Sequence, residues 1–172
     1  MAVKLQWDTP EQKALRYTFT GQWTWHDFME AAQQADAYLN SIDFIPDVVL
    51  DMSRSRVAHS GLLYQLRQIL NHHPAAYGLY ALIDPDGSTK KVRQMFRRIY
   101  RTLGVRLLHA ESLEAARALL AQPEANYLRE LAQTTVENKD DAPQLRRARY
   151  KAMLNPMRER MEMFDSAGFV QS

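Results

Sequence analysis

The chain of 172 residues contains no cysteine. This absence excludes disulfide bonds, cysteine-ligated metals and thiol redox chemistry, and it is compatible with a cytoplasmic protein. No apolar run approaches the roughly 20 residues that a membrane-spanning helix needs. The first residues, MAVKLQWD, include no long apolar segment, so we expect no signal peptide. We therefore expect a cytoplasmic protein.

The chain also has little net charge, formally +2, so as a whole it does not have the charge of a polyanion binder. Hydrophobic residues make up 46% of it and aromatic residues 10%, which is enough for a sizeable core. Its length suits one domain with an appendage better than two full domains.

Strand patterns recur along the first 122 residues. Apolar and polar residues alternate over residues 3–7 and 15–20, which predicts a β-hairpin. The consecutive apolar residues at 48–51 predict a central strand covered on both faces. Two further strands are predicted at 77–83 and 105–110.

Helix patterns separate these strands. Thr24 and Asp27 have the spacing of a capping box and begin a helix that extends to about residue 41. Apolar residues at helical spacing predict further helices over 60–72, 92–103 and 112–120. The order β-β-α-β-α-β-α-β-α predicts an α/β fold, a mixed sheet of about five strands with about four packing helices.

The end of the chain is predicted to be separate from the α/β domain of residues 1–122. Residues 123–172 would form a helical extension, with a polar linker near 134–143. The final helix would begin near Gln144 and have one apolar face, formed by Tyr150, Met153, Leu154, Met157, Met161 and Phe164. This face could fold back on its own domain, pack on a second copy or a partner protein, or lie on an anionic membrane.

Two short sequences carry a family resemblance. VLDMS at 49–53 ends the central strand in an acid and a hydroxyl, and AHSGL at 58–62 lies where the STAS family has Asp-Ser-Ser-Gly-Leu. With the element order, they make residues 3–122 resemble the STAS family of anti-sigma-factor antagonists and sulfate-transporter tails. The chain is also similar to stand-alone STAS-like proteins with a Gly-x-Trp-Thr-Trp entry to the first helix, here GQWTW at 21–25.

The resemblance implies a non-enzymatic regulatory module, bacterial and cytoplasmic, that acts through protein–protein contacts. In the family, a hydroxyl at the start of the second helix is phosphorylated, where free N–H groups and the helix dipole favour an anion. Here Ala58 stands at the acid position and His59 at the acceptor position. Switching by phosphorylation at this position is therefore not expected.

The candidate partner-binding residues follow the central strand, because ligands of open α/β sheets bind at the carboxyl ends of the strands. They are Asp51, Ser53, Ser55, His59, Ser60 and Gly61. The alternative is structural: serines of this segment satisfy loop backbone, and one caps the second helix. Neighbouring serine and histidine residues do not make a hydrolase site. His26 and His109 lie far in the sequence from the adjacent His72 and His73, so we expect no metal site. We also expect no cofactor.

The third predicted helix is strongly basic. Its apolar stripe is predicted at Val92, Met95, Phe96, Ile99 and Leu103. The basic surface is predicted at Lys90, Lys91, Arg93, Arg97, Arg98 and Arg101. No acid occurs between Ser88 and Ala110, so this surface is either a solvated face or a contact for an acidic protein, an anionic membrane or nucleic acid.

A second hypothesis is a binding pocket for a small ligand or lipid between the helices and the sheet. Trp23, Trp25, Tyr77 and Tyr80 would line it, as in lipid-transfer domains similar to the STAS fold. The alternative is that these aromatic side chains belong to the core.

We predict that deleting the residues after Pro143 leaves the α/β domain folded and changes the oligomeric state or partner binding. The amphipathic C-terminal helix would then be an interaction element and not part of the core. Light scattering after size exclusion measures the oligomeric state, and thermal melts measure folding. Unfolding of the shortened chain would instead assign this helix to the core.

Overall fold

The computed structural model describes residues 2–11, 13–57, 59–72, 77–84, 90–99 and 106–137, with only the backbone at 59–60 and 132–137. Its strands are β1 Val3–Trp7, β2 Ala14–Gly21, β3 Asp47–Ser55, β4 Tyr80–Ile83 and β5 Leu107–Ala110. Its helices are α1 Trp25–Leu39, α2 His59–Asn71, α3 Lys90–Ile99, α4 Leu113–Ala121 and α5 Pro123–Glu137. The predicted α/β class is confirmed.

The five strands form one mixed sheet in the order β1-β2-β3-β4-β5. β1 and β2 pair antiparallel, as the hairpin prediction requires, and every later pair is parallel. Between Thr18 and Thr20 the register with β3 shifts, so Met52 and Ser53 lie opposite the single residue Phe19. This is a β-bulge, which bends a strand and redirects the side chains that follow it.

Two layers of helices cover the sheet. Under α1, α2 and α3 lies the larger apolar cluster, which takes Tyr17, Leu50 and Leu82 from the strands. The opposite face buries Val49 and Ala81 against α4 and α5. Because side chains alternate along a strand, β3 supplies both clusters, which explains its consecutive apolar residues.

The start of α1 has the predicted capping box. The Thr24 hydroxyl accepts from the backbone N–H of Asp27, and the Asp27 carboxylate accepts from the backbone N–H of Thr24 at 2.8 Å. Such a cap stabilises a helix by about 1 kcal/mol. The Thr24 hydrogen bonds also lower the pKa of the exposed Asp27 carboxyl.

A buried carboxylate connects β3, β4 and α5. Asp47, at the start of β3, is 6% exposed and accepts the Leu79 N–H at 2.9 Å. Arg129 of α5 donates to both Asp47 oxygens, with Nε at 3.1 and 3.0 Å. Gly78 passes so close that a methyl group there would overlap Asp47 Oδ1. Only glycine therefore fits this approach without displacing the carboxylate.

The packing of α5 extends the domain beyond the predicted edge at residue 122. Ala125, Leu128 and Leu131 are buried in the second cluster, and the ion pair of Arg129 with Asp47 joins them to the sheet. Residues 134–137 of the predicted linker continue this helix. The rest of the linker and the six residues of the C-terminal apolar face lie outside the described residues.

A second ion pair fixes α4 at the same end of the sheet. Asp8, just after β1, is 8% exposed. Arg117 of α4 donates to both its carboxylate oxygens, at 2.7 and 3.2 Å, and Arg16 lies 3.4 Å away. The hydrogen bond to Asp8 raises the pKa of Arg117.

No helix in the described part of the chain is both long and apolar enough to cross a membrane.

We predict that Gly78→Ala destabilises the fold by about 2 kcal/mol, because the new methyl group displaces the carboxylate that binds Leu79 and Arg129. Chemical denaturation measures the loss. Gly61→Ala is the matched control: a methyl group at this helical position meets no atom within 4 Å. That variant should be as stable as the wild type or gain up to about 1 kcal/mol. Equal stability of the two variants would contradict this account of Gly78.

Candidate functional site

The carboxyl end of β3 contains the first of the predicted site residues. Asp51 Oδ1 accepts hydrogen bonds from the Ser53 hydroxyl at 2.6 Å and the Ser53 backbone N–H at 3.2 Å. An extra residue in a bulge leaves the ladder locally unpaired, and Asp51 satisfies the Ser53 N–H there. Residues 53–55, predicted as loop, therefore belong to the strand, because the bulge lets pairing continue to Ser55.

Ser55 has a structural role. Its hydroxyl accepts the Trp23 indole N–H at 2.9 Å and the Val57 N–H at 3.4 Å. Trp23 is 4% exposed, so its N–H needs a protein partner. This hydrogen bond holds the segment before α1 against the end of β3, and it agrees with the alternative that the serines satisfy local polar groups.

Among the described side chains of the predicted site, Asp51 and Ser55 lie on opposite faces of the sheet. Asp51 alternates with Leu50 and therefore lies on the sheet face that α4 and α5 cover, whereas Ser55 meets Trp23 on the other face. His59, Ser60 and Gly61 form the first turn of α2, only three residues after β3. The side chains of His59 and Ser60 lie outside the described part of the structure.

A groove of about 300 Å³ lies on the outer side of α2. It is lined by Trp25, Tyr64, Arg67, Gln68, Asn71 and His72. The His72 ring packs edge-on against Trp25 and Phe28, with ring centroids 6.4 and 5.8 Å apart, which fixes one wall.

The exposed side of this groove is polar and aromatic. Gln68 Nε2 donates to the Tyr64 hydroxyl at 2.6 Å, although Tyr64 is 59% exposed. The groove was not predicted from the sequence. A signal was present, since Tyr64, Gln68 and Asn71 recur at helical spacing off the apolar stripe of α2.

Three of the four aromatic residues predicted to line a ligand pocket belong to the core. Trp23, Tyr77 and Tyr80 are 4% exposed or less, while Trp25 alone lines the groove. The Tyr77 hydroxyl lies 3.3 Å from the Tyr17 hydroxyl. Burial raises the pKa of Tyr17, Tyr77 and Tyr80. The four aromatic residues therefore do not line a common pocket.

The buried face of α3 differs from the prediction. Val92 and Phe96 are buried as expected, but Arg93 is only 5% exposed, so its assignment to the basic surface is wrong. Met95 and Ile99 were predicted inward and are 52% and 55% exposed. The helix packs against α2 and the edge strand β5. It therefore buries a narrow face, and this face includes Arg93. Arg101 and Leu103 lie outside the described residues.

His109 of β5 lies among the charged groups near α3. Burial lowers its pKa, and Arg93 lowers it further, while Asp84 and Glu111 act in the opposite sense. Its Nε2 atom is buried without a hydrogen-bond partner. Within the described ranges, no three histidine or acidic side chains are grouped so that they could hold a metal ion.

Comparison of the chain with protein-family models, with curated proteins and with solved structures gives no match.

We predict that Ser55→Ala costs about 1–2 kcal/mol, because it leaves the Trp23 indole N–H and the Val57 N–H without their acceptor. The matched control is Ser53→Ala, which removes an exposed hydroxyl and should change stability by less than about 0.5 kcal/mol. Urea unfolding followed by tryptophan fluorescence compares the two. A larger loss for Ser53→Ala would show that the bulge, and not the Trp23 contact, stabilises this edge.

Proposed function

We propose that the protein is a non-enzymatic STAS-like module of bacterial, cytoplasmic type that regulates by contacting a protein partner. The contact surface is the outer face of α2 together with the segment from Ser53 to Ser60 that leads into it. Asp51 supports this segment through its hydrogen bonds to Ser53.

One observation carries the proposal: the groove on α2 combines a half-buried Trp25 with a 59% exposed Tyr64. Aromatic side chains at the edge of a concave surface are frequent centres of binding energy in protein interfaces. Arg67, Gln68 and Asn71 add polar groups that can fix the orientation of a partner.

The family resemblance supports the same surface. The element order expected of a STAS-like chain is present, with VLDMS at 49–53 on β3 and the turn of His59, Ser60 and Gly61 opening α2. Because His59 stands at the acceptor position, the proposed contact is not switched by phosphorylation there.

The volume of the groove favours one further candidate, binding of a small ligand or lipid. About 300 Å³ is at the lower end of the range for small-molecule sites. Of the four aromatic residues predicted for such a pocket, Trp25 lines the groove. Native mass spectrometry of protein purified from its host tests this candidate: a bound ligand of constant mass supports it, and a bare chain contradicts it.

We predict that Tyr64→Ala weakens binding of the physiological partner by about tenfold or more, because it removes the exposed aromatic anchor. The partner is first identified by co-purification from the native cell, and its affinity for the purified chain is then measured. His59→Asp and Ser60→Asp, which add charge at the start of α2, should weaken binding as well.

Phe44→Ala is the matched control, because Phe44 is an aromatic residue of similar exposure, 43%, between α1 and β3. It should leave the affinity unchanged. If all three α2 variants bind every partner as the wild type does, the surface assignment is wrong.

A further inference from the structure

The outward side of α3 has an uncommon composition. Lys91, Met95, Arg98 and Ile99, which we call the α3 strip, are all exposed, and the two apolar members are more than half exposed. Met95 and Ile99 are four residues apart, as are Lys91 and Met95, so the strip runs along one side of the helix. Each exposed apolar residue alone would be ordinary; two of them beside two cations form a compact amphipathic surface.

The cations of the α3 strip have basic neighbours along the chain. No acidic residue occurs between Ser88 and Ala110, and Lys90 and Arg97 of the same helix add positive charge beside the strip. Cations in the last turn suit the helix dipole, but this explains Arg97 and Arg98 only. Lys90 and Lys91 stand in the first turn, where the dipole disfavours cations, so helix stability does not account for them.

We propose that the α3 strip is a docking surface for an acidic amphipathic segment of a partner protein. Apolar side chains of that segment cover Met95 and Ile99, and its carboxylates pair with Lys91 and Arg98. Methionine adapts to irregular apolar partners, and arginine binds carboxylates through two parallel hydrogen bonds. The surface shares no residue with the α2 groove, so it stands independently of the proposed function.

A protein segment fits these observations better than a membrane. A helix that lies on a membrane inserts a wide apolar face. In α3, the apolar residues Val92 and Phe96 are already buried against the sheet. Only Met95 and Ile99 remain to enter a bilayer. Methionine and arginine, in contrast, are enriched at protein–protein interfaces.

The test uses the full-length chain and a labelled peptide of about 18 residues, built from glutamate, leucine and alanine with leucines at helical spacing. A second peptide has glutamine in place of every glutamate. Phosphatidylcholine vesicles that contain phosphatidylserine are the third probe. Fluorescence anisotropy measures peptide binding, and co-sedimentation measures vesicle binding.

Two double variants test the strip, Met95→Ser with Ile99→Ser and Lys91→Gln with Arg98→Gln. The matched control removes two exposed lysines elsewhere, Lys4→Gln with Lys13→Gln. Because all six side chains are exposed, thermal melts should show every variant folded.

We expect the glutamate peptide to bind the wild type more tightly than the glutamine peptide and to bind less tightly as salt is raised. Each strip variant should weaken binding by about tenfold, and the lysine control should not. Failure of the glutamate peptide to bind, or equal binding by the strip variants and the wild type, would overturn the proposal. Vesicle binding that the strip variants abolish, without peptide binding, would overturn it in favour of an anionic membrane.

Discussion

Most of the architecture depends on the hydrogen bonds and the ion pair of the Asp47 carboxylate. It is almost fully buried, and a buried charge is tolerated only when hydrogen bonds and an opposite charge compensate it. The compensation comes from the N–H of Leu79, which directs the chain into β4, and from the guanidinium of Arg129, which brings α5 onto the sheet. Removing any partner leaves the others with a buried unpaired group, so β3, β4 and α5 are coupled. This arrangement requires glycine at position 78, because a side chain there would overlap the Asp47 carboxylate.

The ion pairs of the two buried carboxylates lie at one end of the sheet, and the candidate site lies at the other. Asp8 and Asp47 are both at the amino ends of the parallel strands, where Arg117 and Arg129 attach α4 and α5. The ion pairs at this end of the sheet therefore stabilise the fold. At the carboxyl end, Ser53 is exposed, and its hydroxyl donates to Asp51 of the same strand.

The features that could be predicted from the sequence depend mostly on residues that are close together in the chain. The cap of Thr24 and Asp27 spans three residues, and the hairpin and the parallel strands follow from short patterns of apolar residues, so all were recognisable. The pair of Asp47 with Arg129 joins residues 82 positions apart. Nothing in the neighbourhood of either residue indicates it, which is why the predicted domain edge fell at 122, before a helix that belongs to the core. The groove left only a weak signal in the sequence, the helical spacing of Tyr64, Gln68 and Asn71, and the bulge left none, so the partner-binding residues remain a prediction.

The buried face of α3 could not be predicted from the spacing of its apolar residues. Val92, Met95, Phe96 and Ile99 fit one helical stripe, yet only half of them are buried, while the charged Arg93 is. A helix over the margin of a sheet contacts neighbours on a narrow arc, so residues at the edge of an apolar stripe are left in water. There they contribute little to folding, since an exposed apolar side chain has lost little contact with water. Their exposure to water lowers solubility, and the acidic segment proposed above would cover them. Because the inward residues Val92 and Phe96 hold the helix in place, such a covering partner can bind the outer side without any rearrangement of the core.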